Sequence, residues 1–177
     1  MDLSEKKQII RVCFVCSGNT CRSPMAEVLL SHMAKERKVT LRTPDGRIKR
    51  YTGVLTDSAG LAVLPGSRLS EEAGRALLAY GIRDGEEKTF LGRVAKPLRE
   101  EMFHISDVVV AMTSGHLFEM MLRFPAFADR MICMPDPVPD PFGQGEEVYR
   151  ECLLRIRDNL ETLFFTGNET DEHTSDL

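Results

Sequence analysis

Two kinds of apolar pattern alternate along the chain. Ile9 to Val15, interrupted only by Arg11, is an apolar, β-branched run of the length expected for a buried strand. Met25 to Arg37 then places Ala26, Leu29, Leu30 and Met33 on one helical face, with Pro24 in the first turn, where its missing N–H costs nothing. Apolar and polar residues alternate on either side of Pro44-Asp45-Gly46, predicting a hairpin over 38–51 that lies solvated on the surface. Residues 53–60 read as a strand ending in a loop that runs on to Ser70. Ser70-Glu71-Glu72 opens a helix to Tyr80 that Gly81 ends. Residues 85–96 are weakly patterned. Leu98 to Phe103 reads as helix, Asp107 to Met112 as a buried strand, Ser114 to Phe124 as helix and Arg130 to Met134 as a short strand. A stiff loop, Pro135 to Gly143, precedes a last helix from Glu146 to Phe165. This alternation predicts an α/β fold, a three-layer sandwich in which a central parallel sheet carries helices on both faces.

Composition narrows the class. With 177 residues, 42% of them hydrophobic, the chain suits one domain around a single core, expected over residues 1–166. Residues 167–177 hold Glu169, Asp171, Glu172 and Asp176 and no Lys or Arg. Those four acids account for the whole excess of 27 acidic over 23 basic side chains, so this end reads as an acidic, disordered tail. The balanced body lacks the basic face that nucleic-acid binding requires. No apolar run is long enough for a membrane span, and Met1 to Gln8 is too charged for a secretory signal. Five cysteines, an odd number, favour a reducing cytoplasm over a disulfide framework.

The chemistry concentrates between the first strand and the first helix. Cys16-Ser17-Gly18-Asn19-Thr20-Cys21-Arg22-Ser23 is a short loop feeding a helix N-terminus, where backbone N–H groups and the helix dipole converge on an anion. Those amides and a guanidinium favour a thiolate at Cys16. Arg22 offers a planar fork for two oxygens of a tetrahedral oxyanion. Ser23 can donate to the Cys16 sulfur, Gly18 lets the backbone bend close to a ligand, and Asn19 tolerates a left-handed conformation.

The fuller string Phe14-Val15-Cys16, Gly18-Asn19, Cys21-Arg22-Ser23-Pro24 and Ala26-Glu27 closely resembles the low-molecular-weight protein tyrosine phosphatase family. Asp57-Ser58-Ala59-Gly60 and Asp140-Pro141-Phe142-Gly143 follow in the expected order, and the resemblance runs from about residue 9 to 165. It implies a phosphoprotein phosphatase whose Cys16 attacks phosphorus, passing through a phosphocysteine, with Arg22 and the loop amides on the equatorial oxygens. Of two Asp-Pro pairs, at Asp136 and Asp140, the second matches the family's general acid, and Phe142 then forms an aromatic wall beside the leaving group. The resemblance further implies that Ser58 braces Asn19. Relatives often place a His in that bracing network where this chain has Arg93, which leaves the scheme incomplete. Implied partners are phosphorylated protein substrates, with inorganic phosphate or another oxyanion in the loop. No metal or cofactor is called for.

Thr20 points further. Many tyrosine phosphatases of the family carry a bulky aliphatic residue there, whereas bacterial protein-arginine phosphatases carry Thr, and Ala111-Met112-Thr113 also resembles that branch. A small polar residue suits a guanidinium; a branched alkyl group favours an aromatic ring. Both phosphoarginine and phosphotyrosine stay open as substrates.

Other readings compete. An arsenate reductase on this fold relays oxidation through two nearby cysteines in a mobile segment, but residues 61–96 contain none, and Cys133 and Cys152 lie far downstream. An inactive anion-binding module would not need Cys16, Arg22, Ser23 and Asp140 together. Cys13 and Cys16 spell C-x-x-C without a second ligand pair for zinc. Cys21 either pairs reversibly with Cys16 or simply packs at the helix entry. His104 and His116 share no ligand spacing with other residues and read as structural or exposed.

Overall fold

A computed structural model describes residues 8–167; the leading segment and the acidic tail expected from the sequence lie outside the described residues, save Gln8 and Gly167. The elements in chain order are β1 (Ile9–Cys16), α1 (Arg22–Met33), β2 (Val39–Arg42), β3 (Ile48–Tyr51), β4 (Gly53–Gly60), α2 (Glu71–Ala79), α3 (Glu100–Ile105), β5 (Val108–Ala111), α4 (Ser114–Arg123), β6 (Met131–Cys133) and α5 (Glu146–Phe164). One further element, a 3-10 helix over Pro125–Arg130, has no counterpart in the sequence reading; it begins at the proline that stops α4.

The sheet is parallel, in the order β4-β1-β5-β6. Its two covered faces explain why Val12–Val15 of β1 and all of β5 read as apolar runs. Along β1, Ile10, Val12 and Phe14 join Val108 and Val110 of β5 in a core shared with α1, α2 and α5. Cys13 and Val15 point the other way, with Val109 and Ala111, onto Phe103 of α3 and Met120 of α4. Phe14 meets Phe164 edge-on at 6.4 Å between centroids. This is the expected three-layer sandwich.

The strand order changes direction at β1, whose neighbours β4 and β5 lie on opposite sides. In open parallel sheets such a switch opens a crevice beyond the strand carboxyl ends, and the loop leaving β1 lies there. Gly60, which pairs with Cys16 at the end of β4, is required by that loop. A Cβ on Gly60 would lie 2.6 Å from the Ser17 carbonyl oxygen and 3.0 Å from the Asn19 nitrogen.

The boundaries of α1 differ most from expectation, and α3 lies two residues later than expected. Helix α1 starts at Arg22, ahead of Met25, because Cys21 already accepts a hydrogen bond from the Met25 N–H at 3.1 Å. Pro24 therefore falls among the four leading residues whose N–H groups have no helical acceptor. The helix ends at Met33 rather than Arg37, where Ala34 and Lys35 turn back on Leu30 and His32. Residues 39–51 do form an antiparallel pair, turning at Gly46 with φ 84°. It is not merely solvated, however: Val39 and Thr40 are buried, and Thr40 Oγ1 donates to the Thr166 carbonyl just past α5.

Candidate active site

The loop from Cys16 to Ser23 is held from behind by a chain of hydrogen bonds. Asn19 adopts φ 54°, the one non-glycine residue in the left-handed region among the described residues. Its amide is fully used. Nδ2 donates to Ser23 Oγ at 2.9 Å and to Ser58 Oγ at 2.8 Å, while Oδ1 accepts from the Lys96 N–H at 2.9 Å. Those three bonds offset the strain of the backbone conformation. Ser23 Oγ, having accepted from Asn19, has two acceptors within reach of its one hydrogen, Cys16 Sγ at 3.0 Å and the Ala59 carbonyl at 3.2 Å. The Cys16 residue is buried at the end of β1, in the last register pair with β4.

Ser58 accepts from Asn19 and donates to Glu27 Oε2 at 2.8 Å. Arg93 supplies what the sequence left incomplete. Its Nη2 donates to Ser58 Oγ at 3.0 Å, and its Nη1 forms an ion pair with Glu27. Lys88 Nζ is a second cation on Glu27, at 3.2 Å. Glu27 is 4% exposed, so its charge depends on these partners. Glu27 entered the sequence reading only as the last residue of the motif, without a role, and Lys88 escaped it. An acid standing beside Ala26 on a helix otherwise buried for its first nine residues was the available signal.

On the open side, Arg22 connects the loop to the segment after β6. Nη1 donates to the Val138 carbonyl at 3.2 Å, and Nη2 lies 3.4 Å from Asp140 Oδ2. A pocket of about 320 Å³ is lined by Cys16, Ser17, Gly18, Thr20, Cys21 and Arg22 from the loop, by Asp140 and Phe142, and by Leu64 from the connection after β4. Phe142 and Leu64 are exposed apolar residues on its boundary. Asp136 is elsewhere: its backbone N–H donates to Asn159 of α5, and its side chain is not among the pocket residues. The sequence-derived residues Cys16, Ser17, Gly18, Asn19, Thr20, Cys21, Arg22, Ser23, Ser58, Asp140 and Phe142 thus converge on one place, from the pocket itself or from directly behind it.

Two thiols and one imidazole need separate treatment. Cys21 Sγ faces Tyr149 Oη at 3.2 Å and Ser70 Oγ at 3.5 Å, a packing position between α2 and α5. Cys13 is fully buried, and desolvation pushes its thiol well above the ordinary range. For His116 the sequence left two alternatives, structural or exposed, and the structure shows the buried one. It is buried in the first turn of α4, and its Nε2 is 2.9 Å from Ser17 Oγ. Burial first, and the Arg22 charge second, lower it to about 4. No sequence signal joins residues 17 and 116; the β1–β5 pairing does.

Comparison with known proteins agrees with this geometry. The sequence profile described as low molecular weight phosphotyrosine protein phosphatase matches residues 11–174. A protein-arginine-phosphatase of Geobacillus stearothermophilus is 34% identical over 160 residues, covering 86% of this chain and 90% of its own. A low molecular weight protein-tyrosine-phosphatase of Streptomyces coelicolor is 32% identical over 161 residues, covering 82% and 86%. Among solved structures, a Cys-to-Ser mutant of the YwlE arginine phosphatase with a phosphorylated active-site serine superposes with a TM-score of 0.69. It shares 29% identity, with 85% of this chain and 91% of that one covered.

Proposed function

The chain belongs to the low molecular weight phosphotyrosine protein phosphatase family, and within it we propose a phosphatase that removes phosphoryl groups from protein arginine in preference to tyrosine. It is a hydrolase of phosphorylated protein side chains. The roles assigned to residues below, and the phosphoarginine preference, are our reading.

One observation carries the chemistry: Cys16, Arg22 and Asp140 line a single pocket, with Ser23 Oγ 3.0 Å from the sulfur. Cys16 attacks phosphorus in line as the thiolate. Arg22 and the loop N–H groups hold the equatorial oxygens, whose charge grows in the transition state. Asp140 gives its proton to the departing nitrogen or oxygen, leaving a phosphocysteine. Water then attacks that intermediate, Asp140 takes the water's proton, and Cys16 leaves with the Ser23 hydroxyl stabilising the departing sulfur. The Arg22–Asp140 contact keeps acid and clamp in register across the pocket. The relative with a phosphorylated serine in place of its cysteine supports a phosphoryl group seated on the residue at that position.

The substrate preference rests on Thr20, which lines the pocket beside Cys16 and Arg22. Its hydroxyl presents a polar wall to a guanidinium, where an aliphatic side chain would suit a ring. The arginine phosphatase relatives support the same reading. Comparing kcat/KM on matched phosphoarginine and phosphotyrosine peptides, for the wild type and Thr20→Ile, tests it. The wild type should prefer phosphoarginine, and the substitution should shift the ratio towards phosphotyrosine by roughly tenfold or more, the worth of one recognition contact. A ratio unaffected by the substitution removes Thr20 from the argument. Phosphorylated proteins reached in the cytoplasm are the substrates this reading calls for; among the described residues no helix is long and apolar enough to cross a membrane.

A further inference from the structure

Ser17 follows the nucleophile directly and lines the phosphoryl pocket, yet its hydroxyl is held from a distant element, by His116 Nε2 at 2.9 Å. The other ring nitrogen, Nδ1, lies 3.0 Å from Thr113 Oγ1, and that same oxygen caps α4 by accepting the His116 backbone N–H at 3.3 Å. A capping hydroxyl that already accepts from the backbone has its hydrogen free for Nδ1. With Thr113 donating to Nδ1, the ring hydrogen resides on Nε2 and donates to Ser17 Oγ, the tautomer on which the inference is built. Ser17, its oxygen engaged as an acceptor, keeps its own hydrogen for the pocket.

We propose that His116 is a positioning residue for phosphoryl binding: it orients the Ser17 hydroxyl as a donor to the bound oxyanion, and a dianion in the pocket favours the protonated form of its ring. This deepens, and rests on, the phosphatase reading of the same site. The charged groups facing the ring come from three elements. Arg22 at the start of α1 disfavours the imidazolium, while Glu119 on α4 and Asp140 on the segment after β6 favour it. Cys16 adjoins Ser17 at the end of β1. In the free chain burial and Arg22 prevail, and the ring is neutral near neutral pH. A dianion beside Ser17 and Arg22 adds two negative charges and offsets the guanidinium, which favours the protonated ring. Both protonation states fit the hydrogen bonds. The imidazolium still donates from Nε2 to Ser17 and now also donates from Nδ1 to Thr113, whose hydroxyl rotates to accept. Anion binding shifts the ring's protonation equilibrium, and no covalent bond changes.

This role differs from that of a buried histidine that merely fills space, because it links the ring's titration to occupancy of the pocket. The direct test is the His116 imidazole NMR signal of the full chain, titrated with acid in the free state and in saturating sulfate, a probe whose charge stays constant over the range. The midpoint should lie near 4 without sulfate and rise by about one unit or more with it, as expected for an opposite charge placed nearby. An unmoved midpoint overturns the proposal. Kinetics give an independent check with an aryl phosphate substrate. Ser17→Ala should raise KM about tenfold at nearly constant kcat, the signature of a contact made equally in ground and transition states. His116→Asn should raise KM in the same sense, and the double variant should be no worse than Ser17→Ala alone. Additive effects would separate the two residues and defeat the inference. A wild type that fails to hydrolyse the aryl phosphate would instead defeat the phosphatase reading, leaving the sulfate titration to judge His116.

Discussion

Replacing Arg93 with Met removes the guanidinium but keeps a side chain of similar reach, which isolates the charge from the packing. Glu27, 4% exposed, would keep only Lys88 at 3.2 Å and the Ser58 hydroxyl at 2.8 Å. Breaking a fully buried pair by deleting one partner costs roughly 3–5 kcal/mol. Lys88 remains and Arg93 is itself partly accessible, so about 2–3 kcal/mol is the appropriate figure here. For a domain of this size that lowers Tm by roughly 5–10 °C. The loss should reach the loop as well, because the same Ser58 oxygen that Arg93 donates to also receives Asn19. A fall in kcat/KM of about tenfold corresponds to one such bond. Thermal unfolding and aryl phosphate hydrolysis measure the two effects on one preparation. Adding Glu27→Gln to Arg93→Met removes the stranded charge and should recover at least half of the lost stability. Strict additivity, or a loss under about 0.5 kcal/mol for Arg93→Met, would refute the reasoning, since that is what an ordinary surface substitution does.

Other consequences follow from single contacts. Gly60→Ala puts a methyl group against the Ser17 carbonyl and the Asn19 nitrogen; kcat/KM should fall at least tenfold while the far-UV spectrum stays native. Asp140→Asn should lower kcat by about 100-fold or more, whereas Asp136→Asn should leave it within about threefold; equal effects would unseat Asp140 as the acid. His116 links stability to pH. Its folded value, about 4, lies below its unfolded value, so the unfolded chain gains a proton first as pH falls. The wild type should therefore lose stability between roughly pH 6.5 and 4, by about 1–2 kcal/mol because the ring keeps some solvent access, relative to His116→Asn in urea titrations.

Local chemistry explains what the sequence could disclose. Val12–Val15 and Val108–Met112 are apolar on both faces, so their place inside a covered sheet was legible before any pairing was known. The loop was legible for a related reason: Cys16, Gly18, Asn19, Arg22 and Ser23 act within eight residues, and their mutual geometry follows from one turn of chain. Legibility ended where a role depends on residues far apart. Arg93 lies 35 residues from Ser58 and 66 from Glu27, in a weakly patterned segment, and only the folded chain shows it bracing them. His116 is 99 residues from Ser17, and the pairing of β1 with β5 is what brings its helix to the loop. Hairpin 39–51 was recognisable from its turn, but burial of Val39 and Thr40 depends on α5 at the other end of the chain.

Protein quenched during turnover of a phosphorylated substrate and digested for mass spectrometry addresses the nucleophile directly. A single phosphoryl group should be found on the peptide containing Cys16, and Cys16→Ala should lose both that adduct and turnover. Continued turnover by Cys16→Ala, or a phosphoryl group carried on any other residue, would contradict the account.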